Sequence, residues 1–215
     1  MTSKQTVSAL LVSLTIAGCT TTTEHSLKTT SSASSTGALA NYMVETGEKF
    51  SVPALDTSAI DPNNLRQQVD YATNEPPGTL IVDTKNRFIY LVQEDGKALR
   101  YGVGVGREGL EFTGSAHIGY KREWPRWTPT PNMIAREPER YQRWAGGMDG
   151  GPNNPLGARA LYLFKNGKDT LFRIHGTNEP QTIGHAVSSG CIRMMNQDVI
   201  DLYRRVPKGS KVVVI

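Results

Sequence analysis

Cysteine is nearly absent from this chain: Cys19 and Cys191 are the two among 215 residues. A disulfide-stapled scaffold needs more, so stability must come from an apolar core, which a chain of this length can bury as one domain of ordinary size with extensions. Zinc signatures pair their ligands a few residues apart, and one cysteine with scattered histidines does not give that spacing, so no metal is expected. No nucleotide or flavin motif appears either, and no cofactor is expected. Lysine and arginine (24) exceed aspartate and glutamate (20) for a net charge of +4, but the basic residues form no dense run. Nucleic-acid binding is therefore not expected. There is no internal repeat. What the chain has in quantity is 21 glycines and 12 prolines, the mark of many turns, and the first expectation is a loop-rich β protein.

The N-terminus indicates the compartment. Lys4 gives a small positive region, Val7 to Ile16 (VSALLVSLTI) is apolar but too short to span a bilayer comfortably, and Ile16-Ala17-Gly18-Cys19 follows. The segment resembles a bacterial lipoprotein signal with its lipobox. That resemblance implies a signal peptide over 1–18, cleavage before Cys19 and lipidation of its thiol, hence export and a membrane anchor. Thr20 replaces the Asp that tends to retain such proteins at the inner membrane of enteric bacteria, so a periplasmic protein held at the outer membrane is expected. Residues 19–40, rich in Ser and Thr, read as a disordered tether. Residues 41–75 read as an N-terminal extension, irregular or with a short helix. With Cys19 lipidated, Cys191 is the one free thiol.

From residue 76 the pattern sharpens into a domain running to 215. Thr79–Asp83 (TLIVD), Arg87–Gln93 (RFIYLVQ) and Ala98–Val105 (ALRYGVGV) read as a β-meander, with Asp95-Gly96 turning the chain. His117–Glu123 is a further strand. Proline spacing forbids helix over 124–131, and 132–140 suits a short one. The segment GGMDGGPNNPLG, 146–157, carries five glycines and two prolines and reads as a flexible lid or substrate wall. Trp124, Trp127, Tyr141 and Trp144 suit either an aromatic wall beside it or the core. Ala160–Phe164 and Leu171–His175 flank Asn166-Gly167, a hairpin signal that puts His175 at a strand end. Asn196 is the expected cap of a helix with Val199, Leu202, Tyr203 and Val206 on one face, and Lys211–Ile215 closes as a buried strand.

The stretch LFRIHGTNEPQTIGHAVSSGCIR, 171–193, holds two of the four histidines and Cys191. A cysteine nucleophile needs a base within hydrogen-bond reach, and His175 and His185 are candidates. Gly190 lets backbone and substrate approach closely, and a neighbouring amide could hold an oxyanion. Residue types alone leave a buried, inert cysteine equally open. His185 suits a partly exposed loop, His25 lies in the tether, and His117 on a strand; all three read as ordinary.

His175-Gly176-Thr177 followed by Ser188-Ser189-Gly190-Cys191-Ile192-Arg193-Met194 resembles the signature of the L,D-transpeptidase catalytic domain, the YkuD-type family. Trp127 to Pro131, Asn154 to Gly157 and Ala158 to Leu163 are similar to segments of its proteobacterial members. The resemblance implies a mostly β, sandwich-like domain with a few short helices. It makes Cys191 the nucleophile and His175 the base, oriented by the carbonyl of Gly176. The implied chemistry is attack on a peptidoglycan tetrapeptide stem, with loss of the terminal D-Ala and transfer of the acyl group to an amine. A stem amine gives a 3-3 crosslink, a protein amine (an outer-membrane protein as acceptor) an anchored protein, and water simple trimming, the L,D-carboxypeptidase alternative. A wall-binding lipoprotein with a dead site is the reading from another class. Many members have His where this chain has Ser189, so no catalytic role passes to Ser189; it and Gly190 stay as substrate or oxyanion positions. Arg193, two residues beyond Cys191, suits a clamp for a stem carboxylate or a brace for loop carbonyls.

Overall fold

A computed structural model of the chain describes residues 40–106, 112–188 and 190–215. The signal and tether, Cys19, His25 and Ser189 lie outside the described residues.

The domain is mostly β. Its strands are β1 (Gln67–Asp70), β2 (Leu80–Asp83), β3 (Phe88–Val92), β4 (Lys97–Gly102), β5 (Val105–Gly106) and β6 (Gly114–Glu123). After two short helices, α1 (Pro131–Arg136) and α2 (Pro138–Tyr141), come β7 (Arg159–Lys165), β8 (Lys168–His175), β9 (Ala186–Ser188) and β10 (Ile192–Arg193). Helix α3 (Asn196–Arg205) and β11 (Lys211–Val214) complete the chain. Among the described residues, nine strands form one sheet in the order β1-β4-β3-β2-β11-β6-β7-β8-β10, and β5 pairs with β9. One apolar cluster joins Leu91 and Tyr101 from one end of that sheet to Ile174 and Ile192 from the other, together with Val199 and Leu202 of α3. The sheet must therefore curl until its ends share a core, which gives the sandwich-like layering. Each fully buried aliphatic side chain contributes about 1.5–3 kcal/mol to that core.

The hairpins form where the turn chemistry predicts them. Asn166 (φ 51°) and Gly167 (φ 74°) are both left-handed, as are Asp95 and Gly96, and this geometry matches the twist of the flanking strands. Strand β11 runs parallel to β2 and antiparallel to β6, so the C-terminal VVV joins the meander to the site-bearing half.

Several local expectations need correction. The meander's third strand stops at Gly102, and Val105 pairs instead with Ala186 in the small sheet. The helix expected over 132–140 breaks at Glu137, because Pro138 disfavours helical backbone in the residue before it. The extension is not wholly irregular: Gln67–Asp70 pairs with β4 as an edge strand. Asn196 is the first residue of α3, not its cap; Met195 holds the cap position, and the Asn196 Oδ1 accepts from Ala158 N at 2.9 Å. The glycine-rich segment is pinned rather than loose. Buried Asn154 donates to the carbonyls of Pro125, Met148 and Asp149 and accepts from Leu156 N.

The extension docks on α3 through polar groups. Tyr42 donates to Asp198 (3.1 Å) and accepts from Arg66 N (2.6 Å), while Arg66 pairs with Asp201 (2.6 Å). Asp198 is fully buried, its Oδ1 has no hydrogen bond, and the Arg66 Nε stands 3.8 Å away. Burial pushes its carboxyl up to about 7, against the pull of Arg66 and the Tyr42 hydroxyl.

Candidate active site

The edge of the large sheet brings the sequence motifs together. Strand β10 pairs in parallel with β8, Ile192 opposite Ile174 and Arg193 opposite His175. Ile174 and Ile192 are buried in the core, so by strand alternation their neighbours Arg173, His175, Cys191 and Arg193 share the opposite face. Sixteen residues apart in sequence, His175 and Cys191 thus come to lie diagonally across the sheet edge, Cys191 two residues before the partner of His175.

His175 is buried, and its Nδ1 stands 2.6 Å from the Gly176 carbonyl oxygen. A carbonyl only accepts, so Nδ1 carries the proton and Nε2 keeps its lone pair as a base. Burial lowers the imidazole pKa to about 4; the Gly176 bond pulls the other way, and the charges of Arg193 and Arg173 push it down further. The ring is neutral at pH 7. Gly176 is held closely, since a Cβ there would stand 2.3 Å from the Asn196 Oδ1 and 3.1 Å from Ala158 N. The same Asn196 thus packs the histidine's orienting residue while fixing Ala158.

Cys191 is partly exposed, with its sulfur 4.0 Å from the Leu171 carbonyl oxygen. Burial against the strand raises the thiol pKa, and the Arg173 amide with the charges of Arg173 and Arg193 moderates the rise. At rest both groups are therefore neutral, a thiol and an imidazole, and not a thiolate with an imidazolium. Gly190 has φ +122°, a conformation side chains rarely adopt, which gives the turn into Cys191 a reason for glycine. Its amide faces the Ser188 hydroxyl at 3.3 Å, and that hydroxyl donates to the Cys191 carbonyl at 2.6 Å. Ser188 thus ties both ends of the turn. Sequence reading quoted Ser188 only as part of the motif; its place two residues before a glycine of a tight turn was the available signal.

Among the described residues, the Arg193 side chain bonds to a carboxylate and to no loop carbonyl. Its guanidinium pairs with Glu179 at 3.1 Å, and Glu179 also faces Arg140 at 3.6 Å, while the Arg193 backbone bridges Gly104 in both directions. Of the aromatics, Trp124 is core, packed with Val52, Ala158 and Ile200, whereas Trp127 meets Tyr141 edge to face at 6.0 Å. His185 is exposed, and His117 packs near Phe164, so neither joins the pair. A cavity of about 400 Å³ lies between residues 51–60 and the loop after His175, lined among others by Leu55, Trp124 and Gln181; neither Cys191 nor His175 forms its wall.

The edge of the sheet thus sets a thiol and a carbonyl-oriented imidazole on one face, and comparison with known proteins identifies the family. Residues 77–214 match the model of the YkuD family, the L,D-transpeptidase catalytic domain, and the chain belongs to that family. It is 33% identical over 139 residues to the probable L,D-transpeptidase ErfK/SrfK of Escherichia coli K12, covering 63% of this chain and 43% of that protein. It is 32% identical over 181 residues to a putative L,D-transpeptidase of Fuscovulum blasticum, covering 79% and 90%. A Brucella melitensis crystal structure, described as a probable carnitine operon oxidoreductase, is similar at 55% identity with a TM-score of 0.51, covering 74% of this chain and 99% of that one. The chain spans less than half the length of the E. coli relatives ErfK/SrfK and YbiS (43% and 48%).

Proposed function

We propose that the protein is a cysteine-dependent peptidoglycan L,D-transpeptidase. The observation that carries this reading is the His175 Nδ1 bond to Gly176 on a strand whose register sets Cys191 on the same face. His175 Nε2 takes the thiol proton as Cys191 Sγ attacks the carbonyl carbon of the third stem residue, the one bonded to the nitrogen of the terminal D-Ala. The tetrahedral adduct collapses, the bond to terminal D-Ala breaks, and His175 returns the proton to the departing amine, leaving a thioester. An acceptor amine then attacks the thioester, His175 removes its proton, and the Cys191 thiolate leaves and is reprotonated. Because thiol and imidazole are both neutral at rest, proton transfer accompanies attack.

The compartment belongs to the same proposal. Lipidation at Cys19 would tether the domain through residues 19–40 to the outer membrane, facing the wall; fractionation of cells that leaves the protein in the inner membrane would refute that placement. For the chemistry, a purified disaccharide-tetrapeptide is incubated with the enzyme and with Cys191→Ala, and the products are read by mass spectrometry. A crosslinked tripeptide-tetrapeptide dimer absent from the variant is the expected result. Tripeptide alone would mean that water is the acceptor. No turnover in either would overturn the reading for stem peptides and direct the search to a protein amine or a wall-binding role.

A further inference from the structure

The face that carries Cys191 and His175 also carries a fixed arginine. Across β6, β7 and β8 runs a row in register, Tyr120 opposite Tyr162 and Tyr162 opposite Arg173. One step further, Cys191 lies beside Arg173, since the next residues, Ile192 and Ile174, are partners. The tyrosine rings stack at 4.0 Å, and the Arg173 guanidinium lies over Tyr162 at 4.3 Å. Asp169 grips the same guanidinium with both oxygens, at 2.7 and 2.8 Å, and the Phe172 carbonyl accepts a third bond at 2.9 Å.

That grip depends on a bulge in β8. Leu171 is left-handed (φ 65°), a conformation that costs a branched residue energy and needs support. Asp169 supplies some of it by accepting from Leu171 N at 2.8 Å. Thr170 supplies more, accepting from Phe172 N at 3.2 Å while donating to the Leu163 carbonyl at 2.7 Å. The bulge turns the Leu171 carbonyl and the Arg173 amide toward the Cys191 sulfur. Strain and clamp lie together within residues 169–173, against the Cys191 sulfur.

We propose that Arg173, locked by Asp169 and Tyr162 in the β8 bulge, is a positioning residue for the reaction, its amide and immobilised charge stabilising negative sulfur as the thiolate forms and leaves. The inference rests on the transpeptidase reading for its purpose, but not for its test. Among the described residues, the charged groups that act on the sulfur are Arg173 on β8, held by Asp169, and Arg193 on β10; those acting on His175 are the same two guanidiniums. Arg193 shares its charge with Glu179, whose other neighbour is Arg140. Arg173 is the more tightly held of the two.

The test is the pH dependence of iodoacetamide alkylation, read on the Cys191 peptide by mass spectrometry so that Cys19 does not interfere. Charge removal and mere loosening move the thiol in opposite directions. If the guanidinium stabilises the anion, Arg173→Gln moves the inflection to higher pH and slows alkylation at neutral pH about three- to tenfold, as a pKa rise of about half to one unit requires, while Arg173→Lys keeps the wild-type inflection. If Arg173 only packs the hairpin, its loss hydrates the thiol and the inflection falls or stays, which would overturn the proposal. Should Arg173→Gln fail to fold, Arg173→Met, which keeps an apolar stem on Tyr162, carries the same comparison. Alkylation needs no peptidoglycan, so its outcome stands apart from whether the tetrapeptide is turned over.

Discussion

Replacing Asp198 by Asn should make the protein more stable, and the gain should depend on pH in a defined window. Burial raises the folded carboxyl from an ordinary 3.8 to about 7. The folded state thus binds this proton more tightly than the unfolded chain, and the group's stabilising contribution is full below about pH 4 and lost as pH rises through about 7. A shift of this size corresponds to roughly 4 kcal/mol, as a ceiling because the first turn of a helix favours an anion. Asp198 sits in that turn of α3. His175 works in the opposite sense: its pKa, lowered to about 4 from 6.5, gives stability present above about pH 6.5 and lost as pH falls through 4. The wild-type profile is therefore flattened between these values. Urea unfolding of wild type and Asp198→Asn at a series of pH values from about 4 to 8 isolates the aspartate, since the difference cancels His175. The difference should grow in favour of the variant by up to roughly 4 kcal/mol across the window and stay level above it. A difference that is flat, or that moves against the variant, would show Asp198 ionised and paired with Arg66 throughout, and would refute the reasoning.

Other expectations follow from the site. Gly176→Ala places a methyl 2.3 Å from the Asn196 Oδ1 and 3.1 Å from Val199 Cγ1, and should lower stability by about 1–3 kcal/mol, read as a drop in Tm, with turnover lost beyond the loss of folded protein because the carbonyl that orients His175 moves. Ser188→Ala removes the bonds to Cys191 O and Gly190 N; about 1 kcal/mol of stability and a slower acylation step, followed by mass spectrometry of the acyl-enzyme, are expected, and unchanged acylation would remove Ser188 from the site. In the wild type, a raised thiol together with a neutral His175 predicts slow alkylation of Cys191 near neutral pH that climbs steeply in alkali; fast alkylation that is level from about pH 6 to 8 would indicate a thiolate–imidazolium pair instead.

Much of the domain was written locally. The apolar, β-branched and aromatic runs TLIVD and RFIYLVQ and the Asp-Gly and Asn-Gly turns are short-range signals that produced the elements their local physics demands, and the prolines of 124–131 hold off helix until Pro131 itself opens one. His175 and the Ser-x-Gly-Cys run were likewise readable, because a strand-end histidine and a glycine before a cysteine are visible without neighbours. The signal, the tether and Cys19 are statements of sequence that the described residues do not address.

Other features depended on pairing. Nothing in KVVVI says that β11 will sit between β2 and β6, because the residues it pairs with on both strands lie more than ninety positions before it in the chain. Arg173 stood in plain view in LFRIHG, yet its meaning arises from Asp169, Tyr162 and the parallel partner that carries Cys191. Asn154 and Asn196 read as loop and cap residues and proved to be buried or half-buried braces, since only the close approach of other backbone supplies their hydrogen-bond partners. Asp198 is buried only because α3 and the extension close over it. Sequence by itself determined which residue types were present and which local backbone shapes they favour; tertiary structure decided which face each side chain shares and how far each is removed from water. Register and burial are set by contacts between distant segments, and those contacts are what bring His175 and Cys191 to one face of the sheet.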